Sequence, residues 1–192
     1  MIKTALISVS DKSSLDALAK ELIANDVKII SSGGTFKYLK SIGCEVQEVS
    51  DFTGHPEMMN GRVKTLHPKI HAGILANRDV HLKELESMGY PPIDLVVVNL
   101  YPFINTVQGD ATFEEAIENI DIGGPTMIRA AAKNFKDVVV LSDPSQYEDF
   151  LLKLKNNSVD LDFRKLCAAR VFENMAQYDG AISNYLSSSY QS

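Results

Sequence analysis

The sequence predicts an α/β protein with a mainly parallel sheet that is covered by helices on both faces. Two observations carry this prediction. Short apolar, β-rich runs alternate with segments whose apolar residues recur at helical spacing, and polar turns containing Gly or Ser separate the two. Crossover connections of this kind join parallel strands. The chain has 192 residues, of which 45% are hydrophobic, enough for one large domain or a domain with an appendage.

The predicted strands are short apolar runs bounded by turn residues. In chain order they cover residues 4–9, 27–30, 46–49, 95–100 and 138–141. Uninterrupted apolar residues suit a strand that is buried on both faces, and the run LVVVNL at residues 95–100 shows this most clearly. Residues 51–76 interrupt the alternation of strands and helices.

The predicted helices lie between and after these strands. In chain order they cover residues 15–23, 36–42, 80–88, 112–119, 125–134, 144–154 and 161–186. Thr112 and Glu115 have capping-box spacing, and Pro125 suits the first residue of its helix. Asp143 and Pro144 are expected to cap the helix that follows them.

The last helical segment is expected to cover the sheet or a partner subunit. Gly180 is a point at which the helix could kink or stop. Its apolar residues available for packing are Leu166, Ala169, Phe172, Met175, Ala176 and Ile182.

Composition excludes several classes of protein. The formal net charge of −6 argues against general binding to nucleic acid or to an anionic membrane, because both need a broad basic face. No apolar run approaches the length of a membrane span, and the one after Met1 is too short for a secretion signal. Cys44 and Cys167 are isolated in sequence, which predicts free thiols in a reducing cytoplasm.

One basic segment stands out in this acidic chain. Residues 58–78 contain no Asp or Glu, so Arg62, Lys64, Lys69 and Arg78 form a local excess of positive charge without a nearby acidic partner in sequence. Such a loop suits an anionic small molecule, although a solvated basic loop is the alternative.

Three polar segments follow predicted strands, at residues 10–12, 32–35 and 99–101. In an open parallel sheet the ligand binds outside the carboxyl ends of the strands, so we expect these segments to converge. Residues 32–35 offer backbone N–H groups, hydroxyls and a helix N-terminus, which together suit an anion. The alternative is an ordinary tight turn with Thr35 as the helix cap. Lys12 either belongs to a helix cap or reaches the same phosphate.

Lys64 and Lys133 are candidate acid–base groups, because crowding by other cations lowers the pKa of a lysine. An exposed Lys133 that complements a helix dipole is the alternative. Asp121 either orients a reacting group or caps a helix. His67 and His71 have the spacing of paired metal ligands, but Pro68 between them and the lack of a third ligand argue against a metal.

Six segments, taken together and in order, resemble the IMP cyclohydrolase domain of the bifunctional purine biosynthesis enzyme that also carries AICAR transformylase. They are residues 10–12 (SDK), 32–35 (SGGT), 61–68 (GRVKTLHP), 99–103 (NLYPF), 120–124 (IDIGG) and 129–134 (RAAAKN). The resemblance runs from about Thr4 to Tyr185 and includes residues 177–179 (QYD). The 61–68 segment is highly specific, whereas each Gly-Gly turn is weak alone.

The resemblance implies a methylglyoxal-synthase-like, three-layer α/β/α sandwich with a mainly parallel sheet and a C-terminal helical extension. We place the nucleotide-binding core at residues 1–143 and the extension at residues 144–192. The implied reaction is dehydrative ring closure of 5-formamidoimidazole-4-carboxamide ribonucleotide (FAICAR) to IMP, without cofactor or metal. The implied protein is a cytoplasmic homodimer. Since no residues remain for a transformylase domain, we expect either a piece of a longer chain or a stand-alone cyclohydrolase.

The resemblance also implies which residues form the site. The nucleotide-contacting positions of the family correspond to Ser10, Asp11, Lys12, Ser32, Gly33, Gly34, Thr35, Arg62, Val63, Lys64, Thr65, Val98, Asn99, Asp121 and Ile122. Its catalytic candidates correspond to Lys64, Tyr101, Asp121 and Lys133.

These residue types fit the implied chemistry. Lys64 would stabilise the oxyanion formed at the formyl carbon, and Lys133 would transfer protons. Asp121 and Tyr101 would orient the amide and relay protons, while Lys12 and residues 32–35 would hold the 5′-phosphate. Two other positions, Asn60 and Phe135, depart from the family, which often has an acid and a histidine there.

Two other functions remain as alternatives. A regulatory nucleotide-binding module, as in the allosteric domain of carbamoyl phosphate synthetase, would need the phosphate site but not Lys64, Asp121 and Lys133. A carbon–oxygen lyase like methylglyoxal synthase would need a catalytic aspartate near the phosphate, where Asp11 is a weak candidate. The 61–68 segment argues against both.

Overall fold

In the part of the chain that the structure describes, five strands form one sheet in which every pairing is parallel, in agreement with the mainly parallel sheet that the sequence predicts. The computed structural model describes residues 1–101, 103, 107, 109 and 111–189. The strands are β1 (Thr4–Val9), β2 (Lys28–Ser31), β3 (Gln47–Glu48), β4 (Leu95–Asn99) and β5 (Val139–Leu141). Their spatial order is β3-β2-β1-β4-β5. Pro102 of the quoted 99–103 segment lies outside the described residues.

The described helices lie between and after the strands. They are α1 (Leu15–Ala24), α2 (Gly33–Ser41), α3 (Val49–Thr53), α4 (Pro68–Leu75), α5 (Leu82–Ser87), α6 (Phe113–Glu118), α7 (Gly123–Lys133), α8 (Tyr147–Lys155) and α9 (Leu161–Ser189). Short 3₁₀ turns lie at Met59–Gly61 and Pro144–Gln146. None of the helices in this part of the chain is long and apolar enough to cross a membrane.

Both faces of the sheet are covered. Leu95, Val96, Val97 and Val98 follow one another in β4, and none is more than 1% exposed. Because successive side chains of a strand point to opposite faces, this burial requires packing on both sides. The sheet therefore forms the middle layer of an α/β sandwich.

Two predicted helix caps are confirmed. The Thr112 hydroxyl accepts the Glu115 N–H at 3.2 Å, and the Glu115 carboxylate accepts the Thr112 N–H at 2.8 Å, which completes a capping box at the start of α6. Asp143 and Gln146 form a second box around the turn before α8. Each box satisfies N–H groups that a helix start leaves without intrahelical partners.

Several element boundaries differ from the prediction, and three of them lie near the carboxyl ends of strands or at the start of a helix. The strand predicted at residues 46–49 keeps only Gln47–Glu48, because Val49 begins α3. Helix α2 begins at Gly33 rather than at residue 36. Helix α7 begins at Gly123, so Pro125 is its third residue, where the missing N–H of proline costs no helix hydrogen bond.

Helix α9 is continuous through Gly180 and packs against α7 and β5. The prediction of which face of α9 packs against the rest of the protein was largely wrong. Met175 is buried and Ile182 is half-buried, but Leu166 and Phe172 are 68% and 45% exposed. Its buried residues are Phe163, Cys167, Ala168, Val171, Met175 and Tyr178. Because α9 has apolar residues on two faces, its sequence pattern does not show which face packs against the sheet.

The strand order creates a switch point beside β1. The chain moves outward from β1 through β2 to β3 and then returns to place β4 on the other side of β1. Val9 of β1 pairs with Asn99 of β4, so the carboxyl ends of both strands lie side by side. Ligands of open α/β sheets bind at such a point.

Candidate functional site

A cleft of about 840 Å³ opens at the carboxyl ends of the central strands, a volume typical of small-molecule sites. It brings together most of the residues singled out in the sequence. These are Ser10, Lys12, Ser32, Gly33, Gly34, Thr35, Arg62, Lys64, Thr65, Val98, Asn99, Tyr101, Asp121 and Ile122. Asp11, Val63 and Lys133 do not line it.

Asn99 joins the carboxyl ends of β1 and β4. Its Oδ1 accepts hydrogen bonds from the Ser10 N–H at 2.7 Å, the Asp11 N–H at 2.9 Å and the Ser10 hydroxyl at 3.0 Å. Its Nδ2 donates to the Asp11 carbonyl at 2.8 Å. The carboxamide thus shapes the floor of the cleft, and its contact with a ligand stays a prediction.

The start of α2 forms one wall. Ser32 is extended, with φ −137°, and Gly33 turns the chain with φ +55°. The first turn of this nine-residue helix carries no acidic residue, so its unpaired N–H groups and the helix dipole favour an anion. Lys12, half-buried, faces the same cleft.

Thr35 does not cap α2. Its buried hydroxyl accepts the Val9 N–H at 3.0 Å and donates to the Val9 carbonyl at 2.9 Å. The side chain therefore ties α2 to the end of β1, and at this position mainly the backbone remains available to a ligand.

Lys64 lies over the two glycine turns of the cleft. A Cβ added at Gly61, where φ is +87°, would lie 2.6 Å from the Lys64 Cε and 2.9 Å from its Nζ. A Cβ at Gly33 would lie 3.4 Å from the same Nζ. The absence of side chains at both turns lets the ammonium group approach the backbone, and Glu57 Oε2 lies 3.3 Å from it.

Arg62 bridges two walls of the cleft. Its guanidinium group pairs with the Glu118 carboxylate at the end of α6, 56 residues further along the chain. The fold therefore supplies acidic partners that residues 58–78 lack among themselves. Lys64 pairs with Glu57, and Arg78 lies 3.8 Å from Asp94.

Asp121 occupies the start of α7. Its Oδ1 accepts the Gly124 N–H at 2.9 Å. Burial raises the pKa of its carboxyl group, and the backbone N–H groups of Gly124 and Gly123 oppose this shift. Burial of this kind, in a cleft with cationic side chains, is typical of groups that transfer protons.

Three side chains expected at the site lie elsewhere. The exposed Asp11 carboxylate accepts hydrogen bonds from the hydroxyl and N–H of Ser13, which lower its pKa. Val63 pairs through its backbone with Met58 and so closes the loop that carries Arg62. Lys133 is exposed at the end of α7, the position that complements the helix dipole.

Lys133 is separated from the cleft by the length of its helix. Ten residues of α-helix rise about 15 Å, so Lys133 lies far from Gly123, where α7 meets the site. The structure does not bring Lys133 together with Lys64 and Asp121 in one chain.

Sequence reasoning missed three residues at or next to the cleft. Glu57 immediately precedes the acid-free segment 58–78 and pairs with Lys64. Glu118 gave no signal, because its pairing with Arg62 depends on the fold alone. Tyr178, inside the quoted segment 177–179, accepts the Asp121 N–H at 2.8 Å.

No metal centre is found in the described ranges, where no three His, Cys, Asp or Glu side chains are placed to hold an ion. The His67 ring has a structural use. Its Nδ1 accepts the Lys69 N–H at 3.1 Å and caps α4, whose first residue is Pro68.

Two family models match the chain. The one described as MGS-like domain matches residues 14–126, and the one described as AICARFT/IMPCHase bienzyme matches residues 131–192. The boundary between the two matches falls within α7, just after the part of that helix that lines the cleft.

The chain is also similar to curated proteins and to a solved structure. The bifunctional purine biosynthesis protein PurH of Clostridium botulinum (strain Loch Maree / Type A3) is 58% identical over 97% of this chain and 38% of its own. PurH of Clostridium perfringens (strain 13 / Type A) is 59% identical over the same shares. The chain thus spans 38% of the length of these relatives. The crystal structure of ForH superposes with a TM-score of 0.83 at 36% identity, covering 95% of this chain and 98% of ForH.

Proposed function

Because the chain belongs to the MGS-like domain family and continues into an AICARFT/IMPCHase segment, we propose that it is an IMP cyclohydrolase. It would close FAICAR to IMP with loss of water. The observation that carries the proposal is the meeting of an anion-binding helix start, Lys64 and Asp121 in one cleft. The PurH relatives, named for bifunctional purine biosynthesis, support it.

The 5′-phosphate is assigned to the start of α2. The N–H groups of its first turn, the Ser32 hydroxyl and Lys12 together offer neutral donors and one positive charge. A dianionic phosphate is stabilised by both, and the cleft leaves space beyond it for the ribose and the imidazole.

Ring closure needs an oxyanion site and a proton relay. The carboxamide nitrogen attacks the formyl carbon, which forms a C–N bond and turns the formyl oxygen into an alkoxide. Lys64 is assigned to that oxygen, an interaction typically worth about 3–4 kcal/mol in comparable sites. The alkoxide takes up one proton to become a hydroxyl group and a second to leave as water when the C–O bond breaks. The attacking nitrogen and the formamide nitrogen each release one proton, and the C=N bond forms to the formamide nitrogen.

Asp121 is assigned to the proton transfers. It would accept a proton from the attacking nitrogen and return one to the departing oxygen, a role that its raised pKa favours. Tyr101, 56% exposed on the cleft, would orient the carboxamide. Lys133 lies too far from the cleft of its own chain, so a contribution from Lys133 would have to come from a second copy.

We test the function by following IMP formation from FAICAR by absorbance in metal-free buffer. Wild-type protein is expected to turn over, and Lys64→Ala to lose about 100-fold or more in kcat while keeping its thermal midpoint. Lys69→Ala on α4, outside the cleft, is the matched control and should keep its activity. Tight binding of IMP without turnover would instead favour a regulatory module.

The cellular setting is part of the proposal. Cys44 and Cys167 are free and buried, which supports a reducing compartment and hence the cytoplasm. The exposed apolar side chains of α9 support a homodimer. The length of the PurH relatives supports a transformylase domain linked to this one.

A further inference from the structure

The main chain of Asp121 is held by the C-terminal helix. The Asp121 N–H donates to the Tyr178 hydroxyl oxygen at 2.8 Å, across 57 residues of sequence. Tyr178 is only 7% exposed, and the hydrogen bond is partly buried. A partly buried N–H group that loses its acceptor is left without a full replacement from water, so breaking this contact costs free energy.

The Tyr178 ring is itself fixed by aromatic neighbours. It meets Phe103 edge to face, with ring centroids 6.2 Å apart, and Phe103 meets Tyr185 in the same way at 5.8 Å. Phe103 is 1% exposed and lies two residues after Tyr101 of the cleft. The position of the Tyr178 hydroxyl is therefore held by packed aromatic rings that connect α9 with the segment following β4.

The Asp121 carboxylate has little freedom to compensate for a shift of its backbone. Its Oδ1 accepts the Gly124 N–H at 2.9 Å, and its Oδ2 would lie 2.3 Å from a Cβ added at Gly124. The space beside Gly124 is thus filled by the carboxylate itself. A displacement of the 120–122 backbone would move the carboxylate out of this space.

We propose that Tyr178 is a positioning residue of the active site: its hydroxyl fixes the backbone of Asp121 and so aims the carboxylate at the substrate. This inference rests on the proposed cyclohydrolase function, in which Asp121 transfers protons. Tyr178 lies within residues 131–192, which match the AICARFT/IMPCHase model, whereas Asp121 lies within the MGS-like match. The helical extension thus completes a site built on the core.

The experiment compares Tyr178→Phe with wild type and with Tyr38→Phe. The Tyr38 hydroxyl is also hydrogen-bonded, as a donor to the Asp16 carboxylate, but lies outside the cleft, so Tyr38→Phe removes the same chemical group away from the site. For Tyr178→Phe we expect kcat to fall roughly tenfold to a hundredfold with KM within about twofold, because the phosphate site is untouched. The Asp121 amide should also exchange its hydrogen faster by NMR, and the pH profile of kcat should shift.

Two results would overturn the inference. One is a Tyr178→Phe enzyme with normal kcat and a normal pH profile. The other is a loss of activity that merely follows a lowered thermal midpoint and is matched by Tyr38→Phe. If wild-type protein fails to turn over FAICAR, the proposed function fails by itself. The Asp121 amide exchange and carboxyl titration then still decide whether Tyr178 positions Asp121, since neither readout needs catalysis.

Discussion

At the scale of single residues, the environment of Asp121 bears most directly on chemistry. Burial raises the pKa of its carboxyl group, and the N–H groups at the start of α7 keep the carboxylate oriented. A carboxyl group whose pKa is raised binds a proton more readily than an ordinary aspartate does, which suits a group that accepts and returns a proton within one cycle. The same contacts place Gly124 against the carboxylate, so the glycine is as much a part of the site as the acid.

Gly124→Ala is expected to lower kcat by about 100-fold, because the added Cβ would lie 2.3 Å from Asp121 Oδ2 and force the carboxylate aside. The Leu100 Cδ2, at 2.9 Å, would be displaced as well. Steady-state kinetics with FAICAR, together with thermal unfolding, measures both effects.

Gly180→Ala provides the matched control. It makes the same change inside α9, where no atom lies within 4 Å of the added Cβ. Stability should rise by up to about 1 kcal/mol through helix propensity, with kcat unchanged. Equal kcat in Gly124→Ala and wild type would contradict the assignment of Asp121.

At the scale of elements, the start of α4 fixes the loop that carries Arg62 and Lys64. His67 is the N-cap, and its Nδ1 must be unprotonated to accept the Lys69 N–H. Burial is the main cause that lowers the pKa of His67, and the positive charges of His55 and Lys69 add to it. The folded chain therefore favours the neutral ring.

The stability of the fold should fall in acid through His67. The unfolded chain binds this proton near the ordinary pKa of 6.5, but the folded chain binds it only at lower pH. The contribution of His67 to the free energy of unfolding is thus fully present above pH 6.5. It is lost as the pH falls from there towards the lowered pKa of the folded chain. Urea unfolding at about pH 7.5 and about pH 5.5 measures the difference.

His67→Asn separates this effect from other acid effects, because asparagine also caps a helix but does not titrate. The variant should lose less stability between the two pH values than wild type does. An identical loss in both proteins would show that His67 is not the group responsible.

At the scale of the whole molecule, α9 both packs on the core and exposes apolar side chains to solvent. One face packs on α7 and β5 and brings Tyr178 to Asp121 at the cleft. Outside that face, the side chains of Leu161, Leu166 and Phe172 are exposed. Exposed apolar side chains along one long helix are typical of a protein interface, and a second copy of the chain is the partner that we propose.

Phe172→Glu is expected to weaken the proposed dimer, because a charge would have to be buried in an apolar interface. Light scattering across a concentration series should show a dimer for wild type and a monomer at the same concentrations for the variant. Val80→Glu, at an exposed apolar position outside α9, should leave the mass unchanged. A wild-type monomer at all concentrations would contradict the proposal.

Local patterns of residues were enough to locate the features that depend on near neighbours in the chain. Apolar runs located the strands, the Thr112 and Glu115 capping box located α6, and polar residues after β1, β2 and β4 located the cleft. These signals are local because strand burial, helix capping and turn geometry each involve residues a few positions apart.

Contacts between residues from distant parts of the chain could be found only in the tertiary structure. The pairing of Arg62 with Glu118 spans 56 residues, and the hydrogen bond from Asp121 to Tyr178 spans 57. The same holds for the buried face of α9 and for the position of Lys133 outside the cleft. The physical reason is that strand order and helix packing set these distances, and neither is written in any local pattern of residues.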